Sequence, residues 1–237
     1  LPLIYSLRPN DSLLRMRPTS LRLRPILQAC GNGSSELMSN ISSSLVGMLY
    51  NFQLMHLIGE DGVSAYGVLM YVQFIFVAIF IGYSIGCAPV VSFHFGAQNH
   101  NELKSLLRKS TLLMASGGVL LTIAARLLAA PLARLFVGYD AGLFELTSHA
   151  FRLFSWSFLL AGFNIFVSGF FTALNNGAIS AAISFLRTLV FQTASVLILP
   201  LLLGVDGIWW AITVAEIFAL LISLMFLYLK RNKYHYL

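Results

Sequence analysis

Few side chains in this sequence can do chemistry, and most of those lie within long apolar runs. Glu36 heads a row of Glu36, Asn40, Ser44, Gly47 and Asn51, at spacings of 4, 4, 3 and 4. On a helix that spacing puts all five on one face. Such a face meets lipid only at high cost, so it turns toward other helices or a wet cavity. Two roles fit Glu36 and Asn40. They line a path for substrate or protons, or they hydrogen-bond between helices, with Glu36 capping an inner helix end. Asn164, Ser168, Thr172 and Asn175 form a second row, with Asn164 deepest. Cavity contact and helix packing both fit it. Gln73 stands mid-run and suits either role, while Gln53, His56 and His94 read as interfacial.

Two charges lie deep in the last two apolar runs. Glu216 is about 8 residues from the outer end of its run, or roughly 12 Å at 1.5 Å per residue. Arg187 is about as far from the inner end of the preceding run. In a hydrocarbon core of roughly 30 Å their depths differ by only about 6 Å. The expectation is an intramembrane ion pair, Arg187 with Glu216, that stabilises the bundle rather than moving protons. No nucleophile–base set, phosphate-binding Gly loop or metal-ligand cluster is present. The sequence therefore offers no catalytic and no metal-site candidate.

The elements that position these groups are membrane helices. Of the 237 residues, 58% are hydrophobic and 10% charged. A soluble chain of this length needs more charge to cover its surface. A span needs about 20 mostly apolar residues, and six are expected: Ser35 to Ile58, Val63 to Ser92, Thr111 to Val137, Leu146 to Ala173, Ala178 to Leu203 and Gly207 to Leu229. No run alternates apolar and polar residues as a barrel strand does. Turn residues fill the gaps at Gly59-Glu60-Asp61-Gly62, Asn175-Asn176-Gly177 and Gly204-Val205-Asp206-Gly207. Between spans two and three, Leu103, Leu106 and Leu107 face away from Lys104, Arg108 and Lys109. That pattern predicts a short amphipathic helix lying at the interface over 98–110, with Asn99 as its N-cap.

Eleven of the 15 Lys and Arg gather on one side of six alternating spans. They are Arg8, Arg15, Arg17, Arg22 and Arg24, the three of the interfacial helix, and Lys230, Arg231 and Lys233. The opposite loops carry Glu60, Asp61, Asp140, Glu145 and Asp206, against Arg134. The positive-inside rule then puts both termini in the cytoplasm of a multi-pass cell-membrane protein. Because the charge follows topology rather than forming one patch, no nucleic-acid surface is expected. Residues 1–30, punctuated by Pro2, Pro9, Pro18 and Pro25, read as a basic cytoplasmic linker that follows something upstream. Residues 31–229 form the helical lobe and 230–237 a basic cytoplasmic tail. Cys30 and Cys87 are expected as free thiols. Trp209, Trp210, Tyr228, Tyr234 and Tyr236 read as interface anchors. Gly82 and Gly86 permit close helix approach. Pro89 and Pro131 should kink or end their helices, and Pro200 should bend its own.

From Gly31 to Leu229 the chain resembles the C-terminal half of the multidrug and toxin extrusion (MATE) transporters. The resemblance is carried by Ser34-Ser35-Glu36-Leu37-Met38-Ser39-Asn40, Gly59-Glu60-Asp61-Gly62-Val63 and Ala65-Tyr66-Gly67. It continues through Gly82-Tyr83-Ser84-Ile85-Gly86, Ala88-Pro89, Gly96-Ala97-Gln98-Asn99, Gly207-Ile208-Trp209-Trp210-Ala211 and Ala215-Glu216. It implies an all-α membrane protein, a six-transmembrane-helix bundle forming one lobe of a twelve-helix transporter. It further implies efflux of organic cations or other small-molecule drugs by proton or sodium antiport, with no other cofactor. The implied partners are the bilayer, the substrate and an N-terminal lobe. Sodium-coupled members carry acidic residues deep in their seventh and tenth helices. Around Leu160 to Asn164 this chain has no carboxylate, so that cation site is not carried over. Two alternatives stay open: a half that does not transport without a separate N-terminal lobe, and a flippase for lipid-linked precursors.

Overall fold

A computed structural model describes residues 22–236. Residues 1–21, including Arg8, Arg15, Arg17, Pro2, Pro9 and Pro18, lie outside the described residues, as does Leu237. The helices are α1 (Leu23–Leu57), α2 (Glu60–Gly96), α3 (His100–Val137) and α4 (Ala141–Phe154). A 3-10 turn, Ser155–Ser157, carries α4 into α5 (Phe158–Ala173). Then α6 (Gly177–Phe185) passes through a π-helical segment, Leu186–Gln192, into α7 (Thr193–Leu203), and α8 is Val205–Tyr234. No strand occurs among the described residues. The chain divides into two compact units, Leu1–Gly31 and Asn32–Leu237. The apolar clusters and cavities described below lie within the second.

The helix starts follow local chemistry. Asn99, Asp140 and Asn176 each accept a hydrogen bond from a backbone N–H three residues on, at 3.3, 3.0 and 3.4 Å, which satisfies one orphan donor of α3, α4 and α6. Gly59 and Gly204, with φ of 89° and 60°, precede α2 and α8, where a Cβ would be strained.

Among the described residues, five helical stretches are long and apolar enough to cross a membrane: Glu60–Gly96, His100–Val137, Ala141–Ala173, Gly177–Leu203 and Val205–Tyr234. The remaining helix, α1, has the length at 35 residues but carries Glu36, Asn40, Asn51, His56 and a run of serines. It is the least apolar of the expected spans because it holds much of the polar chemistry. It also begins at Leu23, twelve residues before Ser35 and inside the segment expected as a linker.

Other boundaries differ from expectation. The 98–110 segment is not a separate helix on the interface; it is the first part of continuous α3. Leu103 and Leu107 are buried against the bundle, so packing replaces the lipid surface as their apolar partner. Pro89 and Pro131 lie inside α2 and α3 and end neither. The tail from residue 230 is also mostly helix, since α8 runs to Tyr234.

Packing divides into two apolar clusters stacked along the helices. One gathers Tyr50, Leu69, Phe151, Phe158 and Trp209. The other gathers Phe80, Leu103, Phe166, Phe170 and Tyr236. In a bilayer, lipid is as apolar as these side chains, so close fit rather than loss of water holds them together. Glycine makes that fit possible at places the sequence did not mark. A Cβ on Gly162 would lie 2.6 Å from the Phe80 ring, and one on Gly118 would lie 2.7 Å from the Leu159 carbonyl oxygen. At Gly82 and Gly86 a Cβ would meet nothing within 4 Å. That pair sits on an open face rather than at a helix crossing.

The aromatic anchors also need correction. Trp209 is 1% exposed and belongs to the first cluster. His235, at φ 53°, turns the chain back after α8. Tyr236 then packs on Phe170 and Phe171 and donates to the Leu227 carbonyl at 3.0 Å. Burial, and secondarily the neighbouring Tyr234, pushes the Tyr236 hydroxyl well above the usual tyrosine range. Tyr234 accepts from Asn176 Nδ2 at 2.8 Å. Of the set, Tyr228 keeps an outward position at 60% exposed.

Candidate functional site

The helical order puts a charged centre between the two clusters. Along α5, Asn164 falls between Phe158 of one and Phe166 of the other. Along α8, Glu216 falls between Ile212 and Leu227, and Arg187 follows Ile183 and precedes Val196. Arg187 Nε and Nη2 both donate to Glu216 Oε1, at 2.8 and 2.6 Å. Asn164 Nδ2 donates to the other carboxylate oxygen, Oε2, at 2.7 Å, and to the Glu216 backbone carbonyl at 3.0 Å. Ser223 Oγ in turn donates to Asn164 Oδ1 at 3.2 Å. Both carboxylate oxygens are therefore satisfied, as a buried charge requires. The Glu216 side chain is 2% exposed and that of Arg187 is 19% exposed.

Arg187 lies in the π-helical segment, where each turn is one residue wider than α. Such segments occur frequently at functional sites. The guanidinium meets Glu216 with two of its five N–H donors. Its other face borders a cavity of about 300 Å³.

That cavity is bounded by α1, α2, α5 and the π segment. Its chemistry comes from Glu36, Asn40, Tyr66, Gln73, Ser168 and Arg187. Asn40 Nδ2 donates to the Glu36 carbonyl at 2.9 Å. Gln73 Oε1 is buried with no hydrogen-bond partner among the described residues. Ser168 is the centre of a hydroxyl cluster, 2.9 Å from Ser180 Oγ and 3.0 Å from Ser184 Oγ. Against α2, Gly169 leaves the space that the Ser84 hydroxyl occupies.

The structure thus separates residues that spacing alone had grouped. Glu36, Asn40 and Gly47 of the first row border the cavity, while Ser44 and Asn51 do not. Asn51 is exposed and bonds back to the Gly47 carbonyl at 2.9 Å. A helix turns 3.6 residues at a time, so a row sixteen residues long drifts off one face. Asn164 is fully buried behind the cavity rather than on it, as a ligand of Glu216. Ser39 and Ser43 also border the cavity. Their spacing from Glu36, three and seven residues, was the available signal.

These features define a class: a multi-pass helical membrane bundle with a polar cavity built over an ion pair whose buried carboxylate is hydrogen-bonded at both oxygens. The chain belongs to the MatE family, whose family model matches residues 37–197. It is 21% identical over 235 residues to multidrug export protein MepA of Staphylococcus aureus (strain bovine RF122 / ET3-1), covering 98% of this chain and 51% of that relative. The fold matches the crystal structure of MATE in complex with MaL6 at TM-score 0.87 and 17% identity, over 95% of this chain and 51% of that one. It also matches the outward-facing conformation of a multidrug resistance MATE family transporter of the MOP superfamily at TM-score 0.86 and 19% identity, with the same coverage. The chain spans about half the length of the curated relatives it matches.

Proposed function

We propose that this chain is the C-terminal lobe of a secondary active exporter of organic cations or other small-molecule drugs, working by proton or sodium antiport from the cell membrane with both termini in the cytoplasm. The observation that carries the reading is the charge balance of the cavity. Among the described residues its charged side chains are Glu36 and Arg187. Arg187 is neutralised by Glu216, while Glu36 forms no ion pair among the described residues. The cavity's uncompensated charge is therefore negative and suits a cation. Tyr66 and Met70 add a soft wall that can re-pack around varied ligands. Coupling follows if a transported cation and the coupling ion compete for the Glu36 carboxylate while the lobe rocks against its counterpart.

The half-length match to relatives favours a lobe that works with an N-terminal lobe rather than alone. A flippase for lipid-linked anions would want unpaired cations in the cavity, and the cavity cation Arg187 is paired. The test is ethidium efflux from cells expressing this chain with and without a complementary six-helix lobe. Efflux is expected only with both lobes. It is expected to fall at least tenfold in Glu36→Gln and to stop when the coupling gradient is collapsed. Unchanged efflux in Glu36→Gln at equal membrane level would overturn the assignment.

A further inference from the structure

On helices other than those that build most of the polar cavity, α3 and α8 flank a second, larger open groove of about 940 Å³, also lined by Phe163 of α5. Its walls are almost wholly apolar, and Leu112 of α3 and Tyr228 of α8 stand 71% and 60% exposed beside it. One end is different in kind. Lys104 and Arg108, one helical turn apart, border both this hollow and an adjoining one of about 440 Å³ that adds Lys109. Arg231 stacks over the Tyr228 ring at 4.0 Å and brings a further cation to the same wall. Among the described residues none of these cations forms an ion pair. From Lys104 to Ala115, the deepest α3 residue on this wall, the helix rises about 17 Å at 1.5 Å per residue. That is about one leaflet, half of a hydrocarbon core of roughly 30 Å.

We infer that this groove is a binding site for an anionic phospholipid, whose phosphate is held by Lys104 and Arg108 and whose acyl chain lies along Leu112, Ala115 and Leu224. The charge selects the lipid. A zwitterionic headgroup gains little from a cluster of unpaired cations, while an anionic one gains about fivefold in affinity for each. The apolar length distinguishes a lipid from a free anion, because an anion would leave the groove to other lipid tails. Basic pockets between membrane helices bind acidic headgroups for the same reasons.

The test is native mass spectrometry of the full chain released from detergent micelles, titrated with phosphatidylglycerol or phosphatidylcholine. Phosphatidylglycerol is expected to stay bound and phosphatidylcholine to be lost. In the double variant Lys104→Gln/Arg108→Gln, phosphatidylglycerol binding is expected to weaken about 30-fold. Ala115→Trp fills the groove with an apolar ring on the lipid-facing side and leaves every charge in place. It is expected to lose phosphatidylglycerol as well, which surface charge alone does not predict. Equal retention of both lipids, unchanged binding in Ala115→Trp, or full displacement of phosphatidylglycerol by millimolar inorganic phosphate would each overturn the site.

Discussion

Cutting one side of the Arg187–Glu216 pair should harm the protein more than removing both. Arg187→Met leaves a carboxylate that is 2% exposed with Asn164 as its side-chain partner. A stranded buried charge costs about 4 kcal/mol. Glu216→Leu leaves a guanidinium that is 19% exposed beside the cavity, where it can hydrate. The loss is then nearer that of charged hydrogen bonds, about 2 kcal/mol. The double variant has no buried charge. It loses the Asn164 bond to Oε2 at 2.7 Å but keeps the one to the backbone carbonyl, so its cost is about 1 kcal/mol. Independent effects would add to about 6 kcal/mol, which leaves a coupling of about 5 kcal/mol. Denaturing-detergent titration of the purified chain in mixed micelles, followed by far-ultraviolet circular dichroism, measures all four corners of the cycle. A double variant as unstable as the two single variants added together would refute the reasoning, because the pair would then not be a unit.

Three further outcomes follow from packing and burial. Gly162→Ala pushes a methyl group into the Phe80 ring and is expected to cost about 1–3 kcal/mol. Gly82→Ala, which meets nothing within 4 Å, should cost under about 0.5 kcal/mol or stabilise helix α2; the same titration reads both, and equal costs would contradict the assigned crossing. Ser223→Ala removes the donor to buried Asn164 Oδ1 and should cost about 1–3 kcal/mol, with Ser223→Thr recovering part of the loss. The Tyr236 hydroxyl is held protonated by burial, so its contribution is complete below the ordinary tyrosine value of about 10 and is lost as pH rises toward the higher folded value. Melting curves from pH 8 to 11 should show an alkaline fall that is smaller in Tyr236→Phe, and identical falls would remove Tyr236 as the cause.

Much of the architecture was legible because a bilayer imposes a simple rule. A span must be about 20 apolar residues and must satisfy its own backbone, so the hairpin turns at Gly59 and Gly204 could be read directly. Burial among helices is harder to see, since lipid-facing and core-facing positions use the same residues. Trp209, Tyr234 and Tyr236 therefore looked like interface anchors although they pack inside. Gly162 and Gly118 carried no motif, while the GxxxG of Gly82 and Gly86 marked an open face.

The charged centre divides the same way. A glutamate and an arginine deep in apolar runs at nearly equal depth had to find a partner, because neither charge can stand alone in a medium that does not solvate it. Sequence by itself determined that need and the membrane setting. Only the tertiary structure decided that Asn164, from a third helix, closes the second carboxylate oxygen. Only it opened the helix into π turns at Arg187 and set Glu36, Gln73 and Ser168 around one cavity. Depth is a property of one chain segment counted from its end. Which faces of separate helices meet depends on their rotation and crossing, and close packing sets those.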